Sequence, residues 1–422
     1  MSQFYDQDIV EAVKLLTSLN VVKNAMAFVK EALPQSLEVQ KELALIEAPS
    51  YHEEQKARRY ADLLTQAGLE DVKISPNFNV YGFIRGSGKT GKAVLLEGHL
   101  DTVFDFGSVK EIRTDHNGRI HCPGICDDTR ALTANLFVLK AIRALNIQPV
   151  HDIIIAGTVC EEGLGAMKGM RSLLDELKGQ THILASISID GPTGYAFYAN
   201  ATGMVDWSVT YEGPGGHAWT ASGTPSAIQA ACRAATIISD IELPDNPKTT
   251  ATVSIIEGGQ AIHGIAQRAV MKINMRSNAQ EEIESLNEKM IKAFEKGAEL
   301  ENSRYGKDCV VKVSYEKELD IPAGSQPDNA RIIQIAQLVT QACGLKAELK
   351  KGGCTNANMA IFDQIPAITY GRGGMEYGTH TLAEWFDPEG VEVCEQKSLL
   401  TLLLLAGIEN QSEPLGETLQ IK

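Results

Sequence analysis

Six side chains that are able to bind a metal ion or move a proton lie at the ends of four short apolar runs of the sequence or follow them. They are His99, Asp101, Glu161, Glu162, Asp190 and His380. The runs cover residues 93–100, 152–160, 183–189 and 365–370. They are rich in β-branched residues, which predicts strands buried on both faces. Because ligand sites in α/β sheets gather at the carboxyl ends of strands, we expect these side chains to share one crevice.

An adjacent pair of acids, Asp127 and Asp128, lies where a glycine-containing turn meets a predicted helix and extends this set. Two imidazoles with four or five carboxylates form a ligand set that suits zinc, cobalt or manganese. Acids in one crevice repel one another unless cations neutralise them. Asp101 also lies two residues after His99, on the same face of the strand, where it can hydrogen-bond the imidazole and fix its tautomer. The pattern therefore predicts a metal centre.

The elements around these side chains predict an α/β fold with an insertion. Helical stretches between the four runs indicate a sheet wrapped by helices. Residues 203–319 instead follow the order strand, helix, strand, strand, helix, strand, which is that of a ferredoxin-like unit. We predict a three-layer catalytic domain with a mixed, mostly parallel sheet, made of residues 1–202 and 320–422. The inserted α+β domain, 203–319, is interpreted as a lid and dimerisation domain.

Charge and hydropathy exclude several classes of partner. The chain has 54 acidic and 39 basic residues and a formal net charge of −15, which argues against nucleic acid or an anionic membrane as a partner. The longest apolar run, residues 399–408, is far shorter than the ~20 residues that span a bilayer. The amino terminus has neither a basic cluster nor an apolar core, so we expect no secretory signal and a cytoplasmic location.

Seven short motifs, taken in their order along the chain, resemble those of a known family. They are LLEGHLDTV, GICDDTRA, GTVCEEG, SIDGP, GPGGHAW, NMRS and TYGRGGMEYGTHTLAEWFDP. The sequence resembles the two-zinc exopeptidase and aminoacylase family, which includes carboxypeptidase G, peptidase T, acetylornithine deacetylase and succinyl-diaminopimelate desuccinylase. The resemblance covers most of the chain, and its motifs are specific in combination.

The resemblance implies a set of metal ligands. His99 and Asp190 would hold one metal ion, and Glu162 and His380 would hold the other. Asp127, the first acid of its pair, would bridge the two ions. The implied cofactors are two divalent cations, zinc in the first place, with cobalt or manganese as alternatives.

The same resemblance implies roles in catalysis and assembly. Glu161 would be the general base, and Asp101 would orient His99. His217 would help to polarise the scissile carbonyl, which in relatives often happens across a dimer interface. Arg276 would bind a substrate carboxylate. The expected assembly is therefore a homodimer.

Three further residues, His263, Thr355 and Asn356, are predicted to lie at the substrate. His263 falls where many relatives carry an asparagine that contacts substrate. Asn356, in the segment GGCTNAN, replaces an aspartate that is common in relatives, and residues 127–130, Asp-Asp-Thr-Arg, also depart from the usual pattern. These departures leave the identity of the substrate open.

The predicted function is a metal-dependent hydrolase that cleaves a peptide bond of small peptides with a water activated by two metal ions. One alternative within the same chemistry is an N-acyl amino-acid deacylase or desuccinylase. An alternative from a different class is a catalytically silent homologue that only binds its ligand. The substrate is accordingly a small peptide or an N-acyl amino acid.

Overall fold

The computed structural model describes residues 5–191, 194–306 and 309–420. It forms two compact units. The first unit comprises the described residues up to Asn200 together with those from Gln326 onward, and the second unit spans Ala201–Ser325. The predicted insertion, residues 203–319, lies within the second unit, which continues for six residues beyond its carboxyl end.

The helices and strands of both units are numbered along the chain. The helices are α1 (Gln7–Ser18), α2 (Asn20–Glu31), α3 (Leu33–Ala44), α4 (Glu54–Gln66), α5 (Thr129–Ala144), α6 (Lys168–Leu177), α7 (Ala227–Ser239), α8 (Gln280–Asn302), α9 (Arg331–Ala342), α10 (Ala357–Phe362) and α11 (Glu392–Ala406). The strands are β1 (Glu70–Ile74), β2 (Val80–Ile84), β3 (Lys92–His99), β4 (Arg113–Thr114), β5 (Ile120–His121), β6 (Asp152–Thr158), β7 (His182–Gly191), β8 (Ala196–Tyr198), β9 (Gly203–Glu212), β10 (Gly216–His217), β11 (Thr249–Gly258), β12 (Gly264–Ile265), β13 (Arg268–Ser277), β14 (Lys312–Ile321), β15 (Glu348–Lys350), β16 (Ala367–Gly371), β17 (Met375–Tyr377) and β18 (Trp385–Asp387).

The first unit is built on an eight-stranded mixed sheet in the order β1-β2-β6-β3-β7-β16-β8-β15. The four predicted buried runs form β6, β3, β7 and β16, which are neighbours and run parallel to one another. Their carboxyl ends therefore meet at one edge of the sheet, as the sequence predicted. The α/β fold class is confirmed.

Helices α5 and α11 pack against β3 and supply much of the core of this unit. The apolar run at residues 399–408 falls largely in α11, whose leucines from Leu399 to Leu405 are buried among other core residues. Among the described residues, no helix by itself is long and apolar enough to cross a membrane. The consecutive helices α1 and α2 together meet that criterion of length and composition, with a bend of 69° between them.

A second, four-stranded antiparallel sheet in the first unit has the order β17-β18-β5-β4. It joins two segments of the chain that are about 260 residues apart, since Phe386 of β18 pairs with Ile120 of β5. The loop between β17 and β18 carries His380. This small sheet therefore determines where that histidine lies.

The second unit has the predicted ferredoxin-like order β9-α7-β11-β13-α8-β14. Its strands form an antiparallel sheet in the order β11-β13-β9-β14. Every second residue of β9 from Gly203 to Tyr211 is buried, as expected for a strand with one face against helices. Trp207 packs edge-on against Phe294 of α8 within this core. The short strand β10, which lies within the GPGGHAW segment, pairs separately with β12.

Candidate metal centre

The strand ends of the first unit bring most of the predicted site residues together. Three overlapping groups of side chains each place their ligand atoms within 4.8 Å of one another. The groups are His99 with Asp127, Asp128 and Asp190; His99 with Glu161 and Glu162; and Asp127 with Glu162 and His380. The five residues predicted as metal ligands therefore lie in one cluster with Glu161.

Asp127 lies between the two imidazoles of this cluster. Its Oδ1 is 3.1 Å from Nε2 of His99, and its Oδ2 is 3.2 Å from Nε2 of His380. Burial acts to raise the pKa of Asp127, but the Arg372 guanidinium and the two imidazoles outweigh it and hold this pKa well below its usual value. A charged carboxylate that faces one imidazole with each oxygen is suited to bridge two cations.

His380 faces a second carboxylate as well. Its Nε2 is 3.0 Å from Oε1 of Glu162, and the imidazole is about half exposed. Hydrogen bonds with Asp127 and Glu162 raise the pKa of His380 to about 10. Because a ligating imidazole must be neutral, a cation that binds here competes with a proton.

The tautomer of His99 is determined by its neighbours. Nδ1 is 3.0 Å from the backbone carbonyl oxygen of Asp101 and 3.4 Å from the Oδ1 atom of the same residue. A carbonyl oxygen can only accept, so Nδ1 carries a proton, and Nε2, which faces Asp127, is the nitrogen that could bind a cation. The sequence predicted the Asp101 carboxylate as the partner of His99, whereas the closer partner is its backbone carbonyl.

The Asp101 carboxylate instead organises the loop after β6. Its Oδ1 accepts from the backbone N–H of Glu161 at 3.0 Å, and its Oδ2 accepts from that of Glu162 at 3.0 Å. The Ser50 hydroxyl donates to Oδ2 at 2.6 Å. One buried carboxylate thus fixes the backbone of both neighbouring glutamates.

Glu161 lies in an environment that suits a general base. Its side chain is buried, and burial raises its pKa well above that of an ordinary glutamate, with the charge of Asp190 acting in the same direction. Burial also raises the pKa of Asp190 to about 7, although Arg372 opposes the shift. A carboxyl group with a raised pKa is a stronger proton acceptor than an ordinary carboxylate.

A buried arginine in this cluster was missed by the sequence analysis. Arg372 directly follows β16; its Nε donates to Asp128 at 3.1 Å, and its Nη1 donates to Glu376 at 3.0 and 3.2 Å. Its Nη2 contacts Asp127 at 2.6 Å and also contacts Asp190. One guanidinium therefore holds four carboxylates and offsets part of their mutual repulsion.

Glu384, also missed, holds the turn that precedes Asp127. Its two carboxylate oxygens accept from the backbone N–H groups of Gly124 at 2.8 Å and Cys126 at 2.9 Å. Burial raises the pKa of Glu384 to about 7, against the effect of these two bonds. Glu384 therefore fixes the backbone of the turn that leads to Asp127, the predicted bridging ligand.

Thr355 and Asn356, predicted at the substrate, are buried against the sheet. Thr355 Oγ1 shares a hydrogen bond of 2.7 Å with Thr369 Oγ1. Asn356 Nδ2 donates to Oε2 of Glu97 and to Oγ1 of Thr158, both at 2.8 Å. These contacts give both side chains partners inside the first unit, and a direct contact with substrate stays a prediction.

The remaining predicted residues, His217, His263 and Arg276, are exposed on the second unit. The two imidazole centroids are 6.0 Å apart. Nδ1 of His217 accepts from the backbone N–H groups of Trp219 and Thr220 at 3.3 and 3.4 Å, so the neutral ring carries its proton on Nε2. Such a ring is suited to donate to a carbonyl oxygen, and the substrate roles of the three residues stay predictions.

The donor set of the cluster fits divalent transition-metal ions. Imidazole nitrogen and carboxylate oxygen are the ligands that zinc, cobalt and manganese share. The cluster contains more carboxylates than the single positive charge of Arg372 can neutralise. Divalent cations compensate a surplus of negative charge of this kind. The residues present therefore fit the predicted cofactors.

The α/β unit carries this cluster at its strand ends, and a ferredoxin-like unit is inserted in the same chain. The model of the Peptidase family M20/M25/M40 matches residues 95–402, and the chain belongs to this family. The family resemblance that the sequence motifs indicated is confirmed.

The chain is also similar to individual proteins and solved structures. The chain is 25% identical over 349 residues to the uncharacterized protein YqjE of Bacillus subtilis, covering 79% of this chain and 88% of that protein. Its fold is similar to that of a tripeptidase of Staphylococcus aureus, with a TM-score of 0.73, 23% identity and coverage of 88% and 97% of the two chains. It is also similar to the YXEP protein of B. subtilis, described as a dinuclear metal binding peptidase, with a TM-score of 0.67, 14% identity and coverage of 89% and 99%.

Proposed function

We propose that the chain hydrolyses a peptide bond of small peptides with two divalent metal ions, zinc in the first place and cobalt or manganese as alternatives. The observation that carries the proposal is the position of Asp127, whose two oxygens face His99 and His380 separately. Asp190 would complete the ligands on the His99 side, and Glu162 would complete those on the His380 side.

The chain's own groups divide the chemistry between them. Bound divalent cations would lower the pKa of a water molecule and stabilise the developing oxyanion. A carboxylate oxygen of Glu161 would take the proton of the attacking water and later deliver it to the leaving amine. Asp101 holds the backbone on which this base lies. His217 would donate from Nε2 to the scissile carbonyl oxygen, and the planar fork of Arg276 would bind a substrate carboxylate.

Two of the structural neighbours support the finer points of this proposal. The S. aureus protein that shares the fold is described as a tripeptidase, which favours small peptides as substrates. The YXEP protein is described as a dinuclear metal binding peptidase, which favours two cations. The proposed homodimer, with the second unit as its dimerisation domain and as a lid, and the cytoplasmic location remain predictions from the sequence.

Removal of divalent metal ions should silence the enzyme. Dialysis against a chelator is expected to abolish hydrolysis, and stepwise return of zinc, cobalt or manganese should restore it, because the carboxylate cluster alone cannot activate water at neutral pH. Metal analysis by mass spectrometry gives the stoichiometry, for which the proposal expects two ions per chain. Full activity of a chelated, metal-free sample would contradict it.

The substrate class is tested by a matched panel of compounds. We expect di- and tripeptides to be cleaved with higher kcat/KM than N-acetyl and N-succinyl amino acids that carry the same carboxyl-terminal residue. A preference for the acylated amino acids would replace the first choice by the deacylase alternative. Two bound metal ions with no hydrolysis anywhere in the panel would instead favour a catalytically silent homologue.

A further inference from the structure

A buried glutamate without an assigned role lies in β3, two residues before His99. Glu97 is 1% exposed. Among the described residues, no arginine or lysine donates a hydrogen bond to its carboxylate. Its Oε1 accepts from the Ser188 hydroxyl. Its Oε2 accepts from Asn356 Nδ2 at 2.8 Å, and the Thr158 hydroxyl lies at 3.4 Å. A buried acid is costly unless such donors surround it, so Glu97 depends on Ser188, Asn356 and Thr158.

The polar cluster around Glu97 lies directly beneath the strand ends of the candidate metal centre. Glu97 pairs with Ser188 across β3 and β7, and His99 pairs with Thr158 across β3 and β6. Side chains two residues apart face the same side of a strand. Glu97 is therefore on the face that carries His99, and Ser188 is on the face that carries Asp190. Glu161 follows Thr158 by three residues.

The orientation of Asn356 is imposed by Glu97. A carboxylate can only accept, so the amide must turn its N–H groups toward Oε2. The same Nδ2 is 2.8 Å from the Thr158 hydroxyl. The buried Oδ1 of Asn356 has no hydrogen-bond partner within the described part of the chain, so the amide adopts this orientation at the expense of its own oxygen. The contact with Glu97 therefore determines which way the Asn356 amide is turned.

We propose that Glu97 is a positioning residue of the candidate metal centre. Through Ser188, Thr158 and Asn356 its carboxylate ties β7, β6 and the start of α10 to β3, and so fixes the strand ends that present His99 and the other ligands. Groups that orient metal ligands typically change metal affinity by ten- to a hundredfold when they are lost, although they never touch the ion. This inference rests on the proposed metal-dependent function.

The first test measures cation affinity in two single variants. Zinc affinity is determined by competition with a chromophoric chelator, and the ligand geometry is followed through the absorption spectrum of the cobalt-loaded protein. Glu97→Gln is expected to weaken zinc binding by about ten- to a hundredfold and to change the cobalt spectrum. Asn356→Asp should do the same, because it places two carboxylates across a contact of 2.8 Å. If Glu97→Gln does not fold, Ser188→Ala removes one donor to the same carboxylate and should weaken binding in the same direction.

The decisive test exchanges the two groups. In the double variant Glu97→Gln/Asn356→Asp, the amide and the carboxylate change places across the same contact, so that an N–H···O bond can form again. We expect zinc affinity to recover by about tenfold over either single variant, and the cobalt spectrum to return toward that of the wild type. A merely bulky or apolar role of Glu97 predicts no such recovery.

A matched control is Glu301→Gln in the second unit. Glu301 is likewise fully buried and accepts from the Ser226 backbone N–H at 3.1 Å and from Arg233 at 3.0 Å. Its replacement should leave zinc affinity and the cobalt spectrum unchanged. Wild-type affinity in Glu97→Gln, or a double variant no better than the single ones, would overturn the inference. If the wild-type chain itself binds none of zinc, cobalt and manganese, it is the proposed function that fails.

Discussion

Replacement of Glu161 by glutamine is expected to lower kcat by about a thousandfold while the metal content stays at its wild-type level. The substitution keeps the volume and one oxygen of the side chain but removes its ability to accept a proton. The structure gives Glu161 a buried position and a pKa raised well above the ordinary value, first by burial and then by the charge of Asp190. The metal ligands proposed for the site are other residues, so binding of the cations should survive.

The measurement combines single-turnover kinetics with metal analysis of the same samples. Glu176→Gln is a suitable control, because Glu176 hydrogen-bonds Ser75 and Tyr81 in the same unit and belongs to none of the three ligand groups. Its activity should stay close to that of the wild type. Loss of a metal ion from the Glu161 variant would show that this side chain is a ligand, and retention of most of the activity would show that it is not the base.

The strand ends could be predicted because their signals are local. Runs of β-branched residues indicate buried strands, and the residue that follows each run is read directly from the chain. The carboxyl-end rule then places His99, Glu161 and Asp190 at one edge of the sheet without knowledge of the strand order. The same rule would have identified Arg372, which is separated from the fourth run only by Gly371. An arginine carries no metal-ligating atom, so its position after the strand did not by itself indicate a place among the metal ligands.

Other contacts had no local signal. Glu384 acts on residues 124–126 because the small sheet joins β18 to β5, a pairing of segments about 260 residues apart. The burial of Asn356 against Glu97 depends in the same way on where α10 meets the main sheet. The second unit extends to Ser325, beyond the predicted residue 319, because β14 continues to Ile321 and residue 201 bridges to residue 324. Long-range pairing, rather than residue type, decides each of these features.

Substitution of Arg372 by methionine should make the stability of the protein depend strongly on metal ions. In the wild-type chain, the guanidinium is buried between four carboxylates, among them Asp127 and Asp190. Removing one partner from a buried ionic network costs about 3–5 kcal/mol, because the remaining charges lose their compensation. The free energy of unfolding of the chelated variant, measured in urea, should fall by about this amount. The cost includes a loss of charge stabilisation at Asp127, whose pKa Arg372 helps to hold well below its usual value.

Divalent cations can replace part of the missing charge, so they should stabilise the methionine variant more than the wild type. A ligand that binds only the folded state adds stability in proportion to the logarithm of its concentration over Kd, and the surplus negative charge of the variant lowers that Kd. Arg372→Lys keeps the charge without the planar fork. Its stabilisation by divalent cations should lie between that of the wild type and that of the methionine variant. Arg58→Met removes an exposed pair with Glu54 and should have little effect. Equal stabilisation of the wild type and the methionine variant by cobalt would mean that Arg372 and the cations do not balance the same carboxylates.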